Sequence, residues 1–125
     1  MNNIFIILAM IFCHIVDDYY LQGIFANMKQ KKWWQENAPQ KLYKYDYIVA
    51  LIMHSMSWSF MIMLPIAISM NFDVSIIFAI VFVGNTIIHA VVDNLKANRL
   101  KINLVVDQSI HILQIIITYI ILYII

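Results

Sequence analysis

The stretch VSIIFAIVFVGNTIIHAVVD, residues 74–93, decides how this chain is read. From Val74 to Val92 it carries no charged side chain. That matches the roughly 20 mostly apolar residues an α-helix needs to cross the hydrocarbon core of a bilayer. Yet the stretch closes on His89 and Asp93, four residues apart and so on one helix face. An ionisable side chain in lipid is costly and needs a partner or a use. A membrane helix that delivers a His/Asp pair to a protein interior reconciles the two facts.

Three further runs have the same character. The spans fall at about residues 3–24, 47–69, 74–93 and 103–125. The first qualifies only if Asp17 and Asp18 lie near its polar end or face the protein interior. No Lys or Arg precedes it and no small-x-small site follows it, so it reads as a span and not as a cleaved signal peptide. The 125 residues then form one all-α domain, an integral membrane bundle of four helices, with a short interfacial helix in the first basic loop.

Composition agrees. The chain is 63% hydrophobic and 12% charged, with mean hydropathy +0.81, whereas a soluble domain is about a quarter charged. A net charge of +1 gives no reason to invoke nucleic acid. The single Cys13 excludes an internal disulfide and a cysteine-based zinc ribbon.

All eight Lys and Arg residues lie in two segments. Lys29, Lys31, Lys32, Lys41 and Lys44 separate spans one and two; Lys96, Arg99 and Lys101 separate spans three and four. Basic short loops stay in the cytoplasm, which puts both termini outside a cell inner or plasma membrane. Lys29, Lys31 and Lys32 read as topology determinants that meet anionic lipid. Trp33, Trp34, Tyr43, Tyr45 and Tyr47 suit an interfacial belt. Asn71 and Asp73 mark the opposite turn, and Pro65 lies late in span two.

With this topology the polar residues fall in one layer. His14 and Asp18 lie toward the basic end of span one, His54 about two turns inside span two, His89 and Asp93 at the end of span three, and Asp107 and His111 at the start of span four. Three of these pairs repeat the four-residue spacing. Neutral imidazole and carboxylate are ligands for a divalent metal, zinc first, with manganese or iron also suited. Facing helices of a bundle build metal sites in this way. The candidate ligands are His14, Asp18, His54, His89, Asp93, Asp107 and His111, with Gln22 and Gln108 orienting them. His54 alone would be an ordinary hydrogen-bonding residue between helices. Asp17 has no histidine four residues away and reads as interfacial, and Lys96 continues the Asp93 stripe, where it would pair with Asp93 or hold a phosphate. Met53, Met56, Trp58, Met61 and Met63 read as packing or lipid-facing.

The ordered set His14-Ile-Val-Asp-Asp18-Tyr-Tyr-Leu-Gln22, then His54, then His89-Ala-Val-Val-Asp93-Asn-Leu-Lys96, then Asp107-Gln108-Ser-Ile-His111 resembles domain of unknown function 3307. That family comprises small integral-membrane proteins of bacteria and phages. Its pattern has Gly-Asp-Phe where this chain has Asp17-Asp18-Tyr19, so Asp18 matches the family's acid and Asp17 is an additional one. The resemblance covers nearly the whole chain and implies no reaction.

The chemistry of the layer suggests a metal-dependent hydrolase or phosphotransferase acting on a lipid or polyprenyl-linked substrate. Asp18, Asp93 or Asp107, whichever stays unbound, would be the base, and Lys96 would neutralise substrate charge. The alternatives are a small transporter, an ion-binding protein or proton relay, and a partner-binding membrane module; membrane lipid is the expected surrounding and a homo-oligomer is compatible. The basic loops supply a direct test of sidedness. In a Cys13→Ser background, Lys41→Cys and Lys101→Cys should react with an impermeant maleimide only from the cytoplasm, and Asn2→Cys and Asp73→Cys only from outside. Labelling of Asp73→Cys from the cytoplasm would overturn this topology.

Overall fold

Each apolar run becomes a helix because no other backbone arrangement satisfies its own N–H and C=O groups without water or an edge partner. The computed structural model describes residues 2–125. Helix α1 covers Asn3–Val16 and continues into a π turn at Asp17–Leu21. The short helices α2 (Phe25–Met28) and α3 (Lys31–Asn37) follow, then a single 3₁₀ turn at Lys41–Tyr43. Helices α4 (Asp46–Ser69), α5 (Ile76–Ala97) and α6 (Leu104–Tyr119, with a terminal π turn at Ile120–Ile124) complete the chain. At 22 residues, α5 is about 33 Å long, enough for a hydrocarbon core of about 30 Å. Four helical segments are long and apolar enough to cross a membrane, which supports a multi-pass membrane protein.

Local signals set the helix ends. Asn2 and Asn103 cap α1 and α6 by accepting hydrogen bonds from the N–H groups of Ile4 and Val106. Between α4 and α5 the chain reverses through Asn71 and Phe72, both at positive φ. Gly23, at φ +52°, ends the first helix, a conformation that costs glycine little. This turn folds α2 back along the bundle against α4. Pro65 is buried inside α4, which is assigned as one helix from Asp46 to Ser69.

The four long helices close into a ring: α1 on α4, α4 on α5, α5 on α6, and α6 back on α1. Helix α4 buries residues around much of its circumference, from Ala50 to Ala67. The outside is apolar: Ile4, Phe5, Leu8 and Phe12 of α1 are exposed, as are Ile76, Ile80, Val83, Ile87 and Val91 of α5. Inside, α5 presents Asn85, Thr86, His89 and Asp93. Such a surface would aggregate in water and is natural in lipid. At the end away from the basic loops, Ile6, Met10, Ile62, Met63, Ile66, Ile115 and Tyr119 pack into an apolar core.

Ile115 is fully buried in that core, whereas Ile117 is exposed. Ile115→Ala should therefore cost about 2–4 kcal/mol of bundle stability, and Ile117→Ala less than about 0.5 kcal/mol. Unfolding midpoints in a graded denaturing-detergent titration check the contrast.

Candidate metal centre

The centre begins with the π turn. Asp17 and Asp18 lie three and four residues after His14, so both flank its face of the helix. Here the Gln22 N–H donates to the Asp17 carbonyl, at 3.0 Å, closing a wider turn. Both carboxylates then point inward and are buried, Asp17 completely. Single π turns of this kind recur at functional sites. Asp17 is thus not interfacial, as its spacing suggested: Ser57 donates to its Oδ1 at 2.6 Å, and its Oδ2 faces His54 Nδ1 at 3.7 Å.

Three other helices bring their polar groups to the same level. His54 Nε2 lies 3.2 Å from His89 Nε2, 3.3 Å from Asp18 Oδ1 and 3.4 Å from Asp93 Oδ2. His89 Nε2 lies 3.7 Å from each of the same two oxygens. Ligand atoms about 2.0 Å from a tetrahedral zinc are about 3.3 Å from one another, so these separations match the edges of a coordination cage. A second group adjoins it through Asp93: His111 Nε2 is 3.4 Å from Asp93 Oδ1 and 3.4 Å from Asp107 Oδ1. Two sets, Asp18/His54/His89 and His89/Asp93/His111, each place their ligand atoms within 4.8 Å of one another, compatible with a divalent metal.

Hydrogen bonds decide which imidazole nitrogens are free. Gln114 donates from its amide toward Asn85, leaving its oxygen to accept from His111 Nδ1–H at 3.0 Å. The lone pair of His111 is then on Nε2, a fully buried atom without a hydrogen-bond partner. Asp107 Oδ1 is likewise unpartnered, and the two face each other. Buried polar atoms without partners are rare and call for an explanation; a proton or a cation shared between them would supply one. His89 is held by stacking between Trp58 and His111, with ring centroids 4.2 and 4.1 Å away.

His14 is arranged differently. Trp58 donates its indole N–H to His14 Nδ1 at 2.8 Å, and an indole nitrogen can only donate. His14 Nε2 therefore carries the proton and donates to Gln108 Oε1 at 3.0 Å. Gln108 in turn donates to Asp18 Oδ2 and Asp107 Oδ2. Both ring nitrogens of His14 are engaged, so in this arrangement it holds Gln108, and through it two carboxylates, while the other three histidines face the centre directly. Trp58, read from sequence as packing or lipid-facing, is fully buried and acts as donor here.

Two ammonium groups close the layer toward the basic loops. Lys96 pairs with Asp107 at 2.7 Å and not with Asp93, because Asp93 is already taken: Lys29 reaches its Oδ2 at 2.7 Å and also donates to Gln22. Lys29 is 6% exposed, so its role extends beyond setting topology. Beside the ammoniums, a cavity of about 100 Å³ opens at this end, lined by Asp18, Gln22, Lys29, Lys96 and Gln108 among others.

The structure therefore gathers Asp18, His54, His89, Asp93, Asp107 and His111 around one centre, sets His14, Gln22, Gln108 and Lys96 against it, and adds Asp17, Lys29 and Trp58. Lys29 carried no helix-face signal, because Gly23 ends the helix between Gln22 and it. Trp58 is four residues after His54, a same-face spacing. Asp17 is three residues after His14, a same-face spacing as well. Nitrogen-15 spectra should show His14 protonated at Nε2, and Trp58→Phe should disturb that state while costing about 1 kcal/mol of stability. A wild-type His14 protonated at Nδ1 would refute the Trp58 hydrogen bond.

No curated protein and no solved structure matches the chain. A family model does, over nearly the whole chain. Residues 5–125 match the family described as "Protein of unknown function (DUF3307)", and the chain belongs to that family.

Proposed function

We propose that the chain is a membrane-embedded ion-binding protein, one domain over its whole length, whose buried His/Asp layer holds a divalent metal. The observation that carries this reading is the approach of His54 Nε2 and His89 Nε2 to each other and to Asp18 Oδ1 and Asp93 Oδ2, at 3.2–3.7 Å. Charge supports it. The layer holds four carboxylates, of Asp17, Asp18, Asp93 and Asp107, against the ammoniums of Lys29 and Lys96. With ionised carboxylates and neutral imidazoles, two negative charges remain, the complement of one divalent cation, and uncompensated charge in a low-dielectric interior is strongly unfavourable. His54 and His89 would be ligands through Nε2, with Asp18 and Asp93 through oxygen. Asp17, facing the other nitrogen of His54, would fix that ring as outer carboxylates do in carboxylate–histidine–metal arrangements.

Access favours binding from one side. The mouth lies at the end carrying the basic loops, the cytoplasmic end by their charge, and the apolar core blocks the other end. A second reading, hydrolysis or phosphoryl transfer on a lipid-linked substrate, is favoured by that mouth, where Lys29 and Lys96 stand beside the candidate ligands. A bound metal would then supply Lewis-acid chemistry and activate water. Lys96 would hold substrate charge, and Asp107, a carboxylate outside the coordination shell, would accept a proton.

Detergent-purified protein should carry about one divalent transition metal per chain, measured by elemental analysis. His54→Ala, His89→Ala and Asp93→Asn should each lose most of it while still inserting in the membrane, because the apolar spans drive insertion. Asp17→Asn should weaken affinity by about 10–100-fold, and Lys96→Ala should retain metal. Wild-type protein that takes up no zinc, manganese or iron would sink the proposal and leave a hydrogen-bonded relay. Turnover of a lipid-linked phosphate by loaded protein, absent in Lys96→Ala, would favour the second reading.

A further inference from the structure

A second site lies on the outside of the bundle, where two cavities meet at Tyr47. The larger, about 350 Å³, is built by the segment joining α3 to α4 and is lined by Lys31, Trp34, Lys41, Tyr43, Lys44 and Tyr47, with no Asp or Glu on its wall. Its three lysines are exposed, and among the described residues none makes an ion pair. Two of them are held instead by aromatic rings: Lys31 Nζ is 4.9 Å from the centroid of Tyr47, and Lys44 Nζ is 5.3 Å from that of Tyr45. Trp34 stacks on Tyr43 and donates to the Met28 carbonyl at 2.6 Å, which stiffens the wall. Asn98 anchors this segment to the end of α5: it accepts from the Lys31 N–H and donates to the Lys29 carbonyl.

The second cavity, about 210 Å³, runs between α4 and α5 and is lined by Ile48, Leu51, Ile52, Ala90 and Val91, together with Tyr47 and Asn94. A cationic, aromatic-walled pocket that shares Tyr47 with an apolar groove on a membrane-facing surface has the polarity profile of a phospholipid. We propose that the Lys31/Lys41/Lys44 pocket and the α4/α5 groove together form a binding site for one anionic phospholipid, with its phosphodiester headgroup among the lysines and an acyl chain in the groove. Charge selects the headgroup: three unpaired cations favour phosphatidylglycerol over zwitterionic phosphatidylcholine. The groove selects lipid over free phosphate, because a soluble anion leaves it unfilled. Aromatic residues at the polar–apolar boundary and nearby lysines are the side chains that suit headgroup level. The site stands apart from the His/Asp layer and does not depend on a metal there.

The test is lipid retention. Full-length protein is extracted from bilayers containing equal phosphatidylglycerol and phosphatidylcholine, and the lipid that stays bound is counted by native mass spectrometry. Phosphatidylglycerol should be enriched at least fivefold, on the scale of about 1 kcal/mol per surface cation. Lys31→Ala, Lys41→Ala and Lys44→Ala should each lower the enrichment about fivefold. Ala90→Trp, which fills the groove and leaves all three lysines in place, should lower the total of retained lipid. Glycerol phosphate, which has no acyl chain, should fail to displace the bound lipid at millimolar concentration. Unchanged unfolding midpoints in detergent show that each variant is folded. Equal retention of the two lipids by wild-type protein, or retained enrichment in a folded triple-lysine variant, would overturn the proposal. Displacement by glycerol phosphate would overturn it in favour of a soluble-anion site.

Discussion

Four carboxylates and four imidazoles share the inside of a bundle whose outside is apolar, and their mutual compensation governs the rest of the structure. Charge taken out of water is unfavourable by several kcal/mol per group unless it is paired. Each carboxylate accordingly meets a cation, a donor or an imidazole: Lys29 on Asp93, Lys96 on Asp107, Gln108 on Asp18, Ser57 on Asp17. These pairs involve every long helix and both basic loops. The polar layer thereby specifies how the helices are oriented about their axes, which apolar packing in lipid specifies only weakly.

The same compensation explains segments that look unrelated to the layer. The turn at Gly23 and the short helix α2 are what allow Lys29 to come back to Asp93. Asn98, at the far end of α5, holds the backbone on either side of Gln30 and so fixes where Lys29 begins. Trp58 acts twice, as donor to His14 and as one face of the stack that confines His89. Removing either role would free a ring that the centre needs in one orientation.

The layer also divides the bundle. Toward the basic loops the contacts are ammonium, amide and carboxylate, with a small opening between them. Away from them, Gln114, Asn85 and Thr118 form a short polar fringe, joined by hydrogen bonds that run from His111 through Gln114 and Asn85 to Thr118. Beyond this fringe Ile6, Ile62, Ile66 and Ile115 leave no polar path.

The four apolar runs, the two clusters of Lys and Arg and the three His/Asp pairs at four-residue spacing were legible in the sequence. They rest on local rules: helix length against bilayer thickness, and the 3.6-residue repeat that puts i and i+4 on one face. The all-α four-helix bundle follows from the same rules, as does the placing of His54, His89, Asp93, Asp107 and His111 at one level. What needed the folded chain was everything that departs from a regular helix or crosses between helices. Asp17, three residues after His14, shares its face, but only the packed structure gives it Ser57 and His54 as partners. Lys29 enters the layer only because the chain reverses at Gly23, and by occupying Asp93 it leaves Lys96 to Asp107. His14 becomes a holder of Gln108 because Trp58, on another helix, donates to the nitrogen it would otherwise have free. A repeat along one helix says which side chains share a face; only the packed structure says which atoms across the bundle have already found partners.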